Sequence, residues 1–164
     1  MPNMPKGAHW FGLAGSIVVA DRLTKYVVLD SFAPGESRAV AGFFNLVLVF
    51  NKGAAFSFLA SAGGWQTLFF GVIAVVASLA VSFLIYKNPG KNLFCCGLAF
   101  ILGGALGNLY DRIVYGHVVD FLDFHVAGWH WPAFNIADAA ITVGAGILIA
   151  ESFVHRGEDR EKQA

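Results

Sequence analysis

The chain contains four apolar runs that each approach the length needed to cross a lipid bilayer. They cover residues 10–29, 65–86, 93–113 and 134–153. The hydrocarbon core of a bilayer is about 30 Å thick, so a spanning helix needs about 20 mostly apolar residues. Over the whole chain 57% of residues are hydrophobic and only 13% are charged. This composition is atypical of a soluble domain. It predicts one polytopic membrane domain over residues 1–164, mostly α-helical, with four transmembrane helices.

The first apolar run has an alternative interpretation as a secretory signal peptide. Lys6 precedes it, and the small residues before Asp21 resemble a cleavage site. Three further apolar runs favour an inserted first helix, because a polytopic domain needs that helix to remain. The neighbouring cysteines, Cys95 and Cys96, point in different directions on a helix, so we expect no disulfide between them. The formal net charge of zero gives no basis for attraction to nucleic acid.

Basic residues predict which side of the membrane each loop occupies, since short loops rich in Lys and Arg stay in the cytoplasm. Such residues flank both ends of the chain and the 87–92 loop: Lys6, Lys87, Lys91, Arg156, Arg160 and Lys162. We therefore expect both termini in the cytoplasm and the longer connections, 30–64 and 114–133, on the outer face. Residues 45–50, followed by the turn signal Asn-Lys-Gly, and 116–134 are rich in β-branched and aromatic residues. They predict a small extracytoplasmic β-rich element, with Trp129 and Trp131 as interfacial anchors.

Polar residues of the spans fall near the outer ends, where antiparallel threading brings them to one membrane face. They are Asp21 and Lys25 in the first span, Asn108, Asp111 and Arg112 in the third, and Asn135 and Asp138 in the fourth. Asn51 and Lys52 belong to the first outer connection, which we expect on the same face. A carboxylate inside a membrane span costs a few kcal/mol, so such residues generally have a function. The convergence predicts a functional site at the outer rim.

Some of these residues also have structural interpretations. Asp21 and Lys25 are four residues apart with the acid first, which is the favourable orientation for an ion pair on a helix. A stripe of small residues at fourfold spacing lets helices approach closely and directs Asp111 into the bundle. The stripe consists of Ala99, Gly103, Gly107 and Asp111.

A zinc site is an alternative for the histidine-containing outer loop. The candidate ligands are His117, Asp120, His125 and His130. Their spacing matches no standard ligand pattern, and a strand would scatter the rings. We therefore expect no metal.

Five segments in order resemble the conserved blocks of lipoprotein signal peptidase, also called signal peptidase II. They are DRLTK (21–25), NKGAAFSF (51–58), GGALGNLYDR (103–112), GHVVDF (116–121) and FNIADAAI (134–141). Each block alone is a weak match, whereas five in order are specific. The resemblance covers all four apolar runs and both outer connections.

The resemblance implies an intramembrane aspartyl endopeptidase of the bacterial inner membrane. Members of this family remove the signal peptide from diacylglyceryl-modified prolipoproteins, cutting on the amino side of the lipidated cysteine. The catalytic carboxylates carry over onto Asp120 and Asp138. Supporting and substrate-binding positions carry over onto Asp21, Lys25, Asn51, Gly53, Asn108, Asp111, Arg112 and Asn135. The resemblance implies no cofactor. Its expected partners are prolipoprotein substrates and membrane lipids, and the expected oligomeric state is a monomer.

Asp111 is the alternative to Asp120 as the second catalytic carboxylate, because it also lies in a matching block. We rank Asp120 higher, since Arg112 and the small-residue stripe give Asp111 a structural partner and a packing role. Two other function classes remain. A proton-coupled transporter would place carboxylates at the midplane and show repeat symmetry. A non-enzymatic assembly or lipid-binding protein could use the same polar cluster for docking, and a cleavage assay distinguishes it from a peptidase.

Overall fold

The computed structural model describes residues 7–53 and 65–161, with side chains as far as residue 154. The described chain forms helices and strands in the order α1 (Ala8–Ser31), β1 (Ser37–Ala41), β2 (Phe44–Asn51), α2 (Trp65–Lys87), α3 (Asn92–Tyr115), β3 (Val118–Val126), β4 (Trp129–His130) and α4 (Ile136–Glu161). The four predicted apolar runs all lie within helices or begin just before one. The last five residues of the segment NKGAAFSF, 54–58, lie outside the described residues.

Helix α3 is the central helix and packs against α1, α2 and α4. Its glycines allow this close approach. A Cβ added at Gly104 would lie 2.3 Å from the backbone oxygen of Ala137, and one at Gly103 would lie 2.7 Å from the Ile17 side chain. The predicted small-residue stripe is buried throughout. Its packing role is thereby confirmed.

Three helices are long and apolar enough to cross a membrane: α2, α3, and α4 as far as Val154. Their outward faces expose large apolar side chains such as Leu68, Leu79 and Ile113, so the chain is a membrane protein. Helix α1 has 24 residues but carries Asp21, Arg22 and Lys25 near its middle. By length and apolarity the described helices therefore supply three candidate spans, and the predicted fourth span is not confirmed.

The strands form a small antiparallel sheet in the order β1-β2-β3-β4. The predicted strand at 45–50 lies within β2, and the 116–134 segment supplies β3 and β4. β2 forms a hairpin with the preceding β1 through a two-residue turn at 42–43. One sheet face packs on the helices through a cluster of Val28, Leu48, Val119 and Phe121. This packing fixes β3 beside the ends of α3 and α4.

Candidate active site

The end of α3, the middle of β3 and the start of α4 enclose a cavity of about 560 Å³. Asp120 on β3 and Asp138 in the first turn of α4 both line it. Four further residues with polar side chains line it: Asn51, Asn108, Arg112 and Thr142. The two carboxylates that the sequence ranks as catalytic therefore face one enclosed space, although they lie on different elements.

Asp120 is almost fully buried, and two asparagine amides hold it. Asn135 Nδ2 donates to Asp120 Oδ1 at 2.7 Å, and Asn51 Nδ2 donates to Oδ2 at 3.0 Å. Burial, followed by the charge of Asp138, raises the pKa of Asp120 to about 7, against a smaller opposing effect of the two amides. Asp120 therefore keeps a proton up to neutral pH.

Asp138 is fixed by the start of its own helix. Its backbone N–H donates to Asn135 Oδ1 at 3.0 Å, and its Oδ2 accepts the Asn135 backbone N–H at 3.3 Å. This reciprocal arrangement is that of a capping box, with asparagine at the N-cap. Asn108 Nδ2 donates to Asp138 Oδ1 at 2.7 Å.

A buried ion cluster, consisting of Asp21, Arg22, Lys25 and Asp111, lies behind the cavity. Lys25 Nζ is 2.8 Å from Asp21 Oδ2 and 2.7 Å from Asp111 Oδ2, and Arg22 pairs with the other oxygen of Asp111. The Asp21–Lys25 pair is thus confirmed. The predicted partner of Asp111 was wrong: Arg112 instead donates to the backbone oxygen of Asn108 at 3.1 Å. Residues adjacent along a helix point about 100° apart, so Arg112 faces the cavity while Asp111 faces α1.

The ion cluster also joins the elements that supply the site. Asp21 Oδ1 accepts the Ala137 N–H at the start of α4 at 3.0 Å, and Asp111 Oδ2 accepts the Val119 N–H on β3 at 3.2 Å. Lys25 Nζ donates to Asn108 Oδ1 at 3.2 Å. Asn108 therefore bridges the ion cluster and the cavity carboxylates.

The remaining predicted residues support the cavity from other sides. Gly53 lines it, and its N–H donates to Asn51 Oδ1 at 3.0 Å, which orients the Asn51 amide toward Asp120. The other predicted residues do not line the cavity and lie behind its lining: Asp21, Lys25, Asp111 and Asn135. The zinc alternative finds no geometric support: His125 stacks on His130, and His130 Nδ1 contacts Asp123 at 2.8 Å. Within residues 7–53 and 65–154, no group of three ligating side chains could hold a metal ion.

Sequence reasoning missed two features of the site. Arg22 pairs with Asp111, and the only signal for it was its position inside the block DRLTK. Trp131 and Phe134 line the cavity, whereas the sequence suggested only a surface role for the tryptophan. Both depend on contacts between distant segments, which spacing along the chain does not reveal.

A family model described as signal peptidase (SPase) II matches residues 13–154. The chain belongs to the signal peptidase II family. Relatives named lipoprotein signal peptidase share much of the sequence. The protein from Ralstonia nicotianae is 58% identical over 142 residues, covering 87% of this chain and 82% of the relative. That from a Janthinobacterium species is 54% identical over 149 residues, covering 91% and 90%.

Solved structures share the fold of this signal peptidase II family member. Two structures described as bacterial membrane enzymes, determined in meso at 2.3 Å and 1.9 Å resolution, superpose with TM-scores of 0.80 and 0.79. Each is 28% identical to the chain. The first alignment covers 92% of this chain and 91% of the other, and the second covers 91% and 97%.

Proposed function

We propose that this peptidase is an aspartyl endopeptidase that removes signal peptides from diacylglyceryl-modified prolipoproteins. It cuts on the amino side of the lipidated cysteine. Membership of the signal peptidase II family and the names of the relatives support the substrate class. One observation carries the mechanism: Asp120 and Asp138 line the same cavity, held by amides and a helix start. Among the described residues neither of them forms an ion pair.

The mechanism follows from the unequal environments of the two carboxylates. Peptide hydrolysis needs a general base to activate water and a general acid to protonate the leaving nitrogen. Asp138, at a helix N-terminus, acts as the base. Asp120, whose pKa is raised to about 7, holds the proton for the leaving group. Two adjacent carboxylates that share one proton supply both functions.

The proposed membrane placement includes α1 as a fourth span. Its 24 residues give a helix of about 36 Å, which is long enough for the hydrocarbon core. Asp21 and Lys25 are fully buried and paired with each other, so their charges are not exposed to lipid. With both termini in the cytoplasm, the cavity lies near the outer face of the bacterial inner membrane, where a substrate signal helix leaves the bilayer.

Cysteine labelling tests this topology. In a background lacking Cys95 and Cys96, a cysteine at Gly42 should react only from outside and one at Gly90 only from inside. Both glycines have open space around a Cβ. Reaction of both positions from the same side would overturn the four-span arrangement.

Arg112 is proposed to hold the substrate backbone near the scissile bond. Its guanidinium lines the cavity and interacts electrostatically with Asp138 and Asp120. One of its donors is used on Asn108, and the planar group offers further N–H donors in a fixed geometry suited to carbonyl oxygens. Asn51, which contacts Asp120, is proposed as the second substrate-binding side chain.

A cleavage assay tests the proposal. Protein purified in detergent is mixed with a prolipoprotein that carries a diacylglyceryl cysteine, and mass spectrometry locates the cut. We expect a product that begins at the lipidated cysteine, and much slower cleavage of the same sequence without lipid. Asp138→Asn serves as the matched inactive control. An intact lipidated substrate after incubation with folded wild-type protein would overturn the proposed function.

A further inference from the structure

An aromatic cleft of about 320 Å³ adjoins the active-site cavity at the β3–β4 end of the sheet. Its lining is almost entirely apolar. We use the name aromatic cleft for the space lined by Phe43, Phe124, His125, Val126, Trp129, Trp131 and Phe134. These side chains come from the β1–β2 turn, both strands of the β3–β4 hairpin and the segment that leads into α4.

Backbone hydrogen bonds hold the walls of the aromatic cleft in place. The His125 N–H donates to the Phe43 oxygen at 2.9 Å, and the Trp131 N–H donates to the Phe124 oxygen at 2.8 Å. The rings of Phe124 and Phe134 are stacked with centroids 5.9 Å apart. A pre-formed apolar concavity of this kind is typical of a binding site for an apolar ligand.

The cleft side chains are more exposed than their size would lead one to expect. Phe43 is 58% exposed, Trp129 is 62% exposed and Val126 is 71% exposed. They lie on the sheet and therefore outside the membrane-spanning helices. A contiguous exposed apolar patch marks an interaction site. Its chemistry selects a hydrocarbon chain, because the lining offers almost no polar group to a peptide or a headgroup.

Two cleft residues connect this site to the chemistry. Trp131 and Phe134 line both the aromatic cleft and the cavity that holds Asp120 and Asp138. A ligand in the cleft is therefore adjacent to whatever occupies the cavity. In the substrate class of the proposed function, the residue next to the scissile bond carries two acyl chains.

We propose that the aromatic cleft binds one acyl chain of the diacylglyceryl cysteine during cleavage. The proposal rests on the proposed function. A chain that moves from lipid to protein gains little from its own transfer, since both surroundings are apolar. The gain comes from covering the exposed rings of Phe43 and Trp129. Substrate selection by acyl-chain length then depends on these residues.

The test compares two lipidated substrates of identical peptide sequence, one dipalmitoyl and one dibutyryl. The wild type is compared with Phe43→Ala and Trp129→Ala. Both side chains are largely exposed, so we expect both variants to fold. Val40→Ala is the matched control, because Val40 is a 59% exposed residue on the same sheet that does not line the cleft. Values of kcat/KM are measured at one detergent concentration.

The expected result is a selective loss for the long-chain substrate. Phe43→Ala and Trp129→Ala should each lower kcat/KM for the dipalmitoyl substrate about fivefold to tenfold, the effect of losing one aromatic contact. They should leave the dibutyryl substrate within about twofold of wild type, and Val40→Ala should match wild type with both. Equal losses with both substrates would overturn the proposal and assign the patch to bilayer insertion. Cleavage of neither substrate by the wild type would overturn the proposed function, and the cleft assignment with it.

Discussion

The molecule contains two neighbouring sets of carboxylates that differ in what surrounds them. Asp21 and Asp111 belong to the buried ion cluster, where Lys25 contacts both. Asp120 and Asp138 receive hydrogen bonds from asparagines, and the described part of the chain offers neither of them an ion pair. Burial and the nearby charge of Asp138 raise the pKa of Asp120 to about 7, whereas both carboxylates of the ion cluster are paired with cations. The neighbouring residues therefore distinguish the pair proposed for acid–base chemistry from the pair held in ion pairs.

Asn108 lies at the boundary between the two sets. Its Oδ1 accepts from Lys25 at 3.2 Å, and its Nδ2 donates to Asp138 at 2.7 Å. The Lys25 contact fixes which end of the amide faces the cavity, so the ion cluster orients a donor toward a proposed catalytic carboxylate without itself entering the cavity. The ion cluster thus supports the cavity carboxylates Asp120 and Asp138 through one side chain, that of Asn108.

The largest expected effect separates the two sets by activity. Asp120→Asn and Asp138→Asn should each lower kcat by about 10³-fold or more, because the amide neither shares a proton nor acts as a base. Thermal unfolding should show that both variants remain folded. The measurement is cleavage of the diacylglyceryl substrate by protein that elutes as the wild type does.

Asp111→Asn is the contrasting variant for that experiment. It weakens the ion cluster, so we expect a lower thermal midpoint with cleavage that persists in the folded fraction. If Asp111→Asn were as stable as the wild type and as inactive as Asp120→Asn, the assignment of the two sets would be wrong.

Removing Lys25, the cation that Asp21 and Asp111 share, should strongly destabilise the folded protein. Lys25→Met leaves Asp21 and Asp111 buried with Arg22 as the only remaining cation of the cluster, which costs about 3–5 kcal/mol of the free energy of unfolding. Arg22→Met is the control. Arg22 is 20% exposed and Asp111 keeps Lys25, so its loss should cost about 1 kcal/mol. Equal midpoints for the two variants in detergent would contradict the central place of Lys25.

The proton on Asp120 predicts a stability effect of the opposite sign. The pKa of Asp120 is raised from 3.8 to about 7 in the folded protein. The folded state therefore binds the proton more tightly, and wild-type stability falls as the pH rises between these values. Asp120→Asn removes that penalty. It should raise the free energy of unfolding above about pH 7 by on the order of 4 kcal/mol, with the difference vanishing toward about pH 4. A pH-independent difference in thermal midpoint would argue against the raised pKa.

The smallest effect concerns the cavity cation, which differs from Lys25 in making no ion pair within the described residues. Arg112→Lys keeps the charge but loses the planar group that can donate to two carbonyl oxygens. We expect kcat/KM to fall about tenfold, the equivalent of one hydrogen bond to a charged group, with little change in thermal midpoint. Wild-type kinetics in this variant would remove Arg112 from substrate binding.

The sequence predicted the helices well, because they depend on local patterns. Apolar length located the helices, and fourfold spacing located the packing face of α3. The polar residues predicted at the outer rim, from Asp21 to Asp138, lie close together, although Asp21 lies near the middle of α1. The short strand β1 was not predicted, since Ser37–Ala41 has little hydrophobic pattern and owes its conformation to pairing with β2.

The partners of individual charged residues could not be predicted. Adjacent residues of opposite charge, such as Asp111 and Arg112, suggest an ion pair in the sequence. Helix geometry instead directs them to different neighbours. The hydrogen bonds from Lys25 through Asn108 to Asp138 join three helices. The spacing of these residues along the sequence does not indicate such contacts. Tertiary packing sets these contacts, and they determine which carboxylates are paired with cations and which are not.

Infrared spectroscopy of the carboxyl groups tests the central claim most directly. A protonated carboxylic acid absorbs apart from a carboxylate, so a pH titration of the wild type in detergent counts the buried protons. We predict one protonated group that titrates near pH 7, disappears in Asp120→Asn and persists in Asp111→Asn. A signal that survives in Asp120→Asn and is lost in Asp111→Asn would place the proton in the ion cluster and contradict the account.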